Sequence, residues 1–387
     1  MPSVRGPLKA YYFTFFAALA AYLPYLPSWL REHGIHGLGM SVLMALLPAM
    51  NVLGPPGFGL LADSFGLRGR LLRIASFGAA AWFSLLVVHS LWSQQLSYWV
   101  VFVAYLGFAF FRTPMQLMAD VVALEQGSDF ARLRLWGSLG FMLAVPVLGR
   151  YMNLQALWHL PVVVGLLLWC SHLTTWAMPS QRQVPRRAVF EDLRRIGRGR
   201  AFRTFLVAAM LGQGAHVGYD IVVSMHFLDL GLSGTWVGVA WAIATASEIA
   251  VMAYSPRLLR MLPAARWLLI ALLFQALRWA LLAWLSNPWL LVALQPLHAL
   301  SFGLRWVSTM WIIGQFASQS SASASVQGLH LTAHSLGSVL GMLTFGWLYE
   351  AHGGASVFLV SAVVALLAAG FALPQPPEAR LSHDPVT

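Results

Sequence analysis

The chain has 387 residues, of which 59% are hydrophobic and only 10% charged, and it carries a formal net charge of +11. A soluble protein of this length has no core able to hide so much apolar surface, whereas a bilayer accepts it, and the mean hydropathy of +0.69 agrees. Nucleic-acid binding, a common reading of a basic chain, is set aside because the excess charge lies scattered between apolar runs.

Those runs fall at 11–30, 39–61, 72–92, 97–122, 134–151 and 156–178, and again at 204–229, 235–255, 267–285, 289–316, 325–349 and 354–373. Most are long enough for a helix to cross about 30 Å of hydrocarbon at about 1.5 Å per residue, and about twice what a barrel strand needs. The fifth is the weakest, being interrupted by Pro146 and closed by Arg150. The expected fold is an all-α membrane protein with twelve transmembrane helices in two pseudo-symmetric six-helix bundles. The expected boundaries are 1–179 for the first bundle, 180–203 for a cytoplasmic Arg-rich linker, and 204–387 for the second bundle with a short cytoplasmic tail. Cys170 is the one cysteine, so no internal disulfide forms.

Charge orients the chain. With both termini inside, nineteen of the 24 Lys and Arg fall in inner segments, and only Arg31 and Arg150 fall outside. The opposite topology reverses that bias, so both termini are expected in the cytoplasm of a bacterial inner membrane.

Arg112, Arg278 and Arg305 complete the basic set, deep in apolar runs, and three acids, Asp120, Asp220 and Glu248, lie equally deep. A charge at the bilayer centre costs at least ~2.5–3.5 kcal/mol on insertion scales, so such groups pair with one another and line solute or ion paths. Arg112, Gln116 and Asp120 follow i, i+4, i+8 spacing and share one helix face; so do His216 and Asp220 at i, i+4. Glu248 is the candidate proton carrier. Burial disfavours an ionised carboxyl and a nearby cation favours it, so a carboxyl whose surroundings alternate can take up and release a proton. His298, the side-chain type that titrates near neutrality, is a second candidate, and Asp120 a third. His330 and His334 have a metal-like spacing but no Cys or carboxylate beside them, so no metal is expected. No His-Glu-x-x-His, Gly-x-Ser-x-Gly or phosphate loop appears, so neither a catalytic role nor a cofactor is expected.

The halves echo each other. Gly34-Ile35-His36-Gly37 after the first run matches Gly231-Leu232-Ser233-Gly234 after the seventh, and Ser138-Leu139-Gly140 matches Ser335-Leu336-Gly337, both at an offset of 197. Two matches at one offset point to a duplicated unit. Between runs two and three, residues 59–70 read Gly-Leu-Leu-Ala-Asp-Ser-Phe-Gly-Leu-Arg-Gly-Arg. Together with the duplication, this segment resembles the signature loop of the major facilitator superfamily, with Gly59, Asp63, Gly66, Arg68 and Arg70 at the matching gating positions and Ser64 in place of the usual basic residue.

Within that superfamily, Ala21 to Leu30 resembles the first helix of the oligosaccharide–proton symporters, the lactose permease branch, and Arg132 to Ser138 resembles the start of their fifth helix. Gly212-Gln213-Gly214-Ala215-His216, Glu248, Arg278-Trp279, Leu297-His298 with Phe302, and Gln327-Gly328 are closer to the phenylpropionate permease family. The resemblance implies that Glu248, Arg278 and His298 serve proton coupling and substrate binding and that Arg134 contacts substrate. Arg112, Gln116, Arg305, His216 and Asp220 are further substrate candidates from their depth and spacing, with Arg112, Arg305 and Asp220 standing where the phenylpropionate family is usually uncharged. It also implies departures from the sugar case, because Ser301 and Gln116 stand where the lactose permease has glutamates. The expected function is proton-coupled transport of a small aromatic carboxylate by alternating access. A sugar or nucleoside symporter is the alternative, followed by drug-type efflux and, more remotely, an intramembrane enzyme. Expected partners are the small solute, protons and the bilayer, for a monomer that binds no nucleic acid.

Overall fold

A computed structural model describes residues 5–65, 68–93, 96–125, 130–154, 159–178, 199–318 and 323–372. Among them there are helices and no strands: α1 (Arg5–Glu32), α2 (Gly37–Phe65), α3 (Arg68–Trp92), α4 (Tyr98–Glu125), α5 (Phe130–Leu154), α6 (Leu160–Thr175), α7 (Arg200–Asp229), α8 (Gly234–Met261), α9 (Ala264–Trp284), α10 (Pro288–Ala293), α11 (Leu304–Ser318) and α12 (Ser323–Ala372). Helix is what lipid demands, since every backbone N–H and C=O must find its partner inside the segment. Proline is tolerated for the same reason, and Pro24, Pro27, Pro114 and Pro146 all lie inside continuous helices.

The helices do not match the twelve apolar runs one for one. Among the described residues, seven are long and apolar enough to cross a membrane. The tenth run is not one helix: it is α10, a turn at Gln295-Pro296, a five-residue π-helical turn at Ala299–Gly303, and then α11. Pro296 has no N–H to continue the ladder, and the chain crosses it on i to i+3 bonds such as His298 N–H to Gln295 O (2.8 Å). Runs eleven and twelve are joined in the 50-residue α12, which breaks at Gly353 (φ 77, ψ 178). At about 1.5 Å per residue, the 47-residue span Val326–Ala372 holds about 70 Å of helical rise, over twice the hydrocarbon thickness, divided at Gly353.

The backbone repeats the 197-residue echo in detail. Gly34 and Gly231 both take positive φ (79 and 77), which glycine adopts without a Cβ penalty. Around them Ile35 N–H bonds Leu30 O and Leu232 N–H bonds Phe227 O, each at 2.9 Å and each pair offset by 197. Likewise Gly140 lies against the backbone of Phe13, and Gly337 against that of Met210, again at the same offset. The two segments of chain therefore close their helices with the same turn and the same small-residue crossing.

Within residues 5–175, α1 packs on α5 and α6, and α3 packs on α4 and α6; within 200–372, α7 and α9 pack on α12. Between the two sets the main contacts are α2 with α12, α5 with α8 and α1 with α7. They are closest at one end. A Cβ on Gly238 would fall 2.8 Å from Pro146 Cα, and Gly346 abuts Ser41. At that same end Arg31 Nη2 donates to Asp229 Oδ1 at 2.7 Å, Arg31 Nη1 donates to the Tyr349 hydroxyl, and that hydroxyl donates to Asp229 Oδ2. His36 Nδ1 lies 3.3 Å from Glu350 Oε1. Both acid–base side-chain contacts that join the two sets among the described residues, Arg31 with Asp229 and His36 with Glu350, are at this end.

Candidate functional site

The second half builds a buried polar cluster around Arg278. Along α7, Gln213, His216, Tyr219 and Asp220 fall three to four residues apart or adjacent and so share a face, while α9 adds Gln275, Arg278 and Trp279. The irregular segment between α10 and α11 adds Gln295, His298, Ser301 and Phe302, and Arg305 follows one turn on. Non-helical backbone at membrane depth is tolerated where it is buried in protein, and here Gln295, His298, Ser301 and Arg305 are all buried. π-helical turns of this kind are frequent at functional sites.

Arg278 is fully buried. Its Nη2 donates to Gln295 Oε1 at 2.7 Å, and its Nη1 lies 3.1 Å from His298 Nδ1. Two aromatic faces sandwich it, with Cζ 4.4 Å from the Tyr219 ring centre and 4.7 Å from that of Trp279. Gln295 is itself held, accepting from the Tyr219 hydroxyl at 3.0 Å and donating through Nε2 to Leu291 O at 2.7 Å. The other imidazole nitrogen of His298, Nε2, lies 3.7 Å from Glu248 Oε2, so His298 stands between the arginine and the carboxylate. Glu248 is fourteen residues from the start of the 28-residue α8, halfway along it.

Below Arg278, His216 Nε2 lies 3.7 Å from Asp220 Oδ1. The His216 ring stacks on Phe302 at 4.7 Å, and Phe302 stacks on His298 at 5.1 Å. Arg305 donates to Gln213 Oε1 at 2.9 Å and sits 5.4 Å from the Phe302 ring. Trp306 continues the aromatic column towards His334, at 5.9 Å.

The first half holds a smaller cluster. Arg112, also halfway along its helix, places Cζ 5.1 Å from the Phe15 ring. Asp120 Oδ1 accepts from the Tyr12 hydroxyl at 2.7 Å. Gln116 lies between them, half-buried, so the face drawn from spacing is real and α1 supplies its aromatic neighbours. A ring contact crosses from this half, with Phe141 of α5 5.8 Å from Trp241 of α8, which in turn lies 5.0 Å from Tyr219.

Among the described residues no carboxylate lies within ion-pair distance of Arg112, Arg278 or Arg305. The Nε of each is buried and has no hydrogen-bond partner. The described residues include no group of three or more His, Cys, Asp or Glu able to hold a metal ion. Of the other sequence candidates, Arg70 is exposed at the start of α3; Gly66 and the side chains of Asp63, Arg68 and Arg134 lie outside the described residues, and Gly59 falls within α2.

Sequence reasoning did not single out Gln295 or Tyr219, although both touch the Arg278 network. The Gln-Pro step within a hydrophobic run was the available signal for Gln295; nothing marked Tyr219 apart from its place one turn after His216.

A model of the MFS_1-like family matches residues 7–360. A probable 3-phenylpropionic acid transporter of Escherichia coli (strain K12) is 30% identical over 367 residues, covering 92% of this chain and 93% of the relative. The maltose permease of Geobacillus stearothermophilus is 26% identical over 365 residues, covering 92% and 91%. In fold, the chain is similar to the solved nucleoside transporter NupG, with a TM-score of 0.81 at 18% identity, covering 95% of this chain and 98% of that one.

Proposed function

From the premise that the chain belongs to the MFS_1-like family of major facilitator transporters, we propose that it moves a small aromatic carboxylate across a bacterial inner membrane together with protons. Membership makes it an integral membrane transporter, related to transporters and not to enzymes. The finer reading has two six-helix bundles, joined by the linker at 180–203, rocking about a site near the middle of the bilayer. The repeated turn and crossing at an offset of 197 support it, with α10, the π turn and α11 taken as one interrupted span and α12 as two.

The observation that carries the substrate class is the set of three deep guanidiniums with no carboxylate partner among the described residues. A buried charge left uncompensated costs several kcal/mol, which an anionic substrate offsets. A carboxylate can take two parallel hydrogen bonds from a guanidinium, and each of the three has an aromatic neighbour: Phe15 at Arg112, Tyr219 and Trp279 at Arg278, and Phe302 at Arg305. Glu248 and His298 carry the proton in this reading, because His298 touches both the carboxylate and Arg278. The ties from Arg31 and His36 then close the outer side, leaving substrate to exchange with the cytoplasm. The nucleoside transporter likeness bears on the fold alone.

Counterflow into proteoliposomes, across a panel of aromatic acids, sugars and nucleosides, tests the proposal. Labelled 3-phenylpropionate should exchange against unlabelled aromatic acids, with imposed pH gradients driving accumulation. Exchange of a neutral sugar or nucleoside, with none of an aromatic acid, would overturn it.

A further inference from the structure

Apart from the buried clusters, a groove of about 410 Å³ opens between the start of α3 and the end of α6, lined by Arg70, Arg73, Ile74, Phe77, His172 and Trp176. Its apolar wall is open: Ile74, Phe77 and Trp176 are 50%, 53% and 65% exposed. In a membrane protein these side chains meet acyl chains, and a tryptophan just past a helix end sits at headgroup level. His172 is already engaged on both ring nitrogens. Nδ1 lies 2.9 Å from Ser76 Oγ, and Nε2 accepts from Trp176 Nε1 at 3.2 Å. The polar groups left to the groove are the guanidiniums. Arg73 Cζ lies 5.6 Å from the Trp176 ring, its Nε is buried with no hydrogen-bond partner, and Arg70 is exposed at the rim. Among the described residues no carboxylate reaches either arginine. At the opposite end of the molecule Arg31 is occupied by Asp229 and Tyr349.

A slot with two cations at its rim that no described carboxylate reaches, and an apolar floor below, matches one ligand chemistry. We propose that this groove binds an anionic phospholipid, with phosphate oxygens on Arg70 and Arg73 and an acyl chain along Ile74 and Phe77. Basic pockets between transmembrane helices recognise anionic headgroups in this way, and the apolar floor selects a lipid over free phosphate. The inference rests on the chain's being embedded in a bilayer. It does not depend on what is transported or on which face is cytoplasmic.

Tryptophan quenching in nanodiscs tests it, using brominated phosphatidylglycerol or brominated phosphatidylcholine at equal mole fraction. Both leaflets carry the same lipid, so the result is independent of orientation. The anionic lipid should quench more, and Trp176→Phe should remove that excess. Each of Arg70→Gln and Arg73→Gln should cut the preference about fivefold, while Arg70→Lys with Arg73→Lys keeps it. Should the double glutamine variant fail to insert, the single changes give the same answer. Equal quenching by the two lipids, or an excess that survives the loss of both arginines, would overturn the assignment.

Discussion

Two carboxylate–imidazole pairs lie in the second half at the same separation, 3.7 Å, and they are built differently. His216 and Asp220 are one turn apart on α7, so helix geometry alone brings them together and holds them whatever the other helices do. Glu248 and His298 come from α8 and from the segment before the π turn, and only packing sets their distance. A third pair, Arg31 with Asp229, joins the two halves of the chain. The first pair is insensitive to rearrangement, the second reports on packing within a half, and the third must break if the halves part at that end. Coupling a proton to movement needs a pair of the second or third kind, since a titrating group does work only when its surroundings differ between states.

The largest expected effect is at Glu248. Glu248→Gln should abolish accumulation driven by a pH gradient while leaving exchange largely intact, in proteoliposomes measured both ways. Uphill accumulation that persists in this variant would remove Glu248 from the coupling role and collapse the contrast with Asp220.

Arg278→Lys should come next. The guanidinium bridges Gln295 and His298 at once, and an ammonium serves that geometry poorly. A hydrogen bond to a charged group contributes about 1.5–3 kcal/mol, so losing one predicts roughly tenfold to hundredfold weaker apparent substrate affinity. Wild-type affinity and transport would show that the bridge is not needed.

Arg31→Gln should be milder. Its side chain and that of Asp229 are 41% and 40% exposed, so screening holds the pair to roughly 1 kcal/mol at most. On a Cys170→Ser background, a cysteine in place of Ser41, which packs against Gly346, reports opening through a membrane-impermeant thiol reagent added from outside. Its labelling should rise about twofold to fivefold in Arg31→Gln; an unchanged rate would mean that the tie does not hold that end shut.

The smallest effect is expected for Asp220→Asn. The pair is local to α7, so its loss shifts no helix against another and coupling should survive. Loss of coupling here, with Glu248→Gln still coupled, would exchange the roles of the two pairs.

Much of this protein was legible in its residues. The all-helical membrane class followed from hydropathy, because lipid leaves the backbone few alternatives to helix. The shared face of Arg112, Gln116 and Asp120 followed from spacing, and the duplication from two short echoes whose turns and crossings coincide at an offset of 197. Glu248 and Arg278 stood out as charges deep in apolar runs and His298 as a side chain that titrates near neutrality, but neither depth nor family resemblance said that His298 separates the other two.

What remained hidden depends on how helices rotate and break against one another. The tenth apolar run looked continuous because hydropathy averages over Pro296, whereas the missing N–H at that residue opens the helix and turns Gln295 inward onto Arg278. Tyr219 differs from any other tyrosine only through the face that α7 turns to α9. The sequence by itself determined the solvent in which the chain folds, the repeat within it and the charges it must bury, since these rest on composition and on contacts one helical turn long. Tertiary structure alone decided the partners of those charges, because a side chain's reach is a few ångströms and the elements carrying Arg278, His298 and Glu248 meet only when the bundle packs.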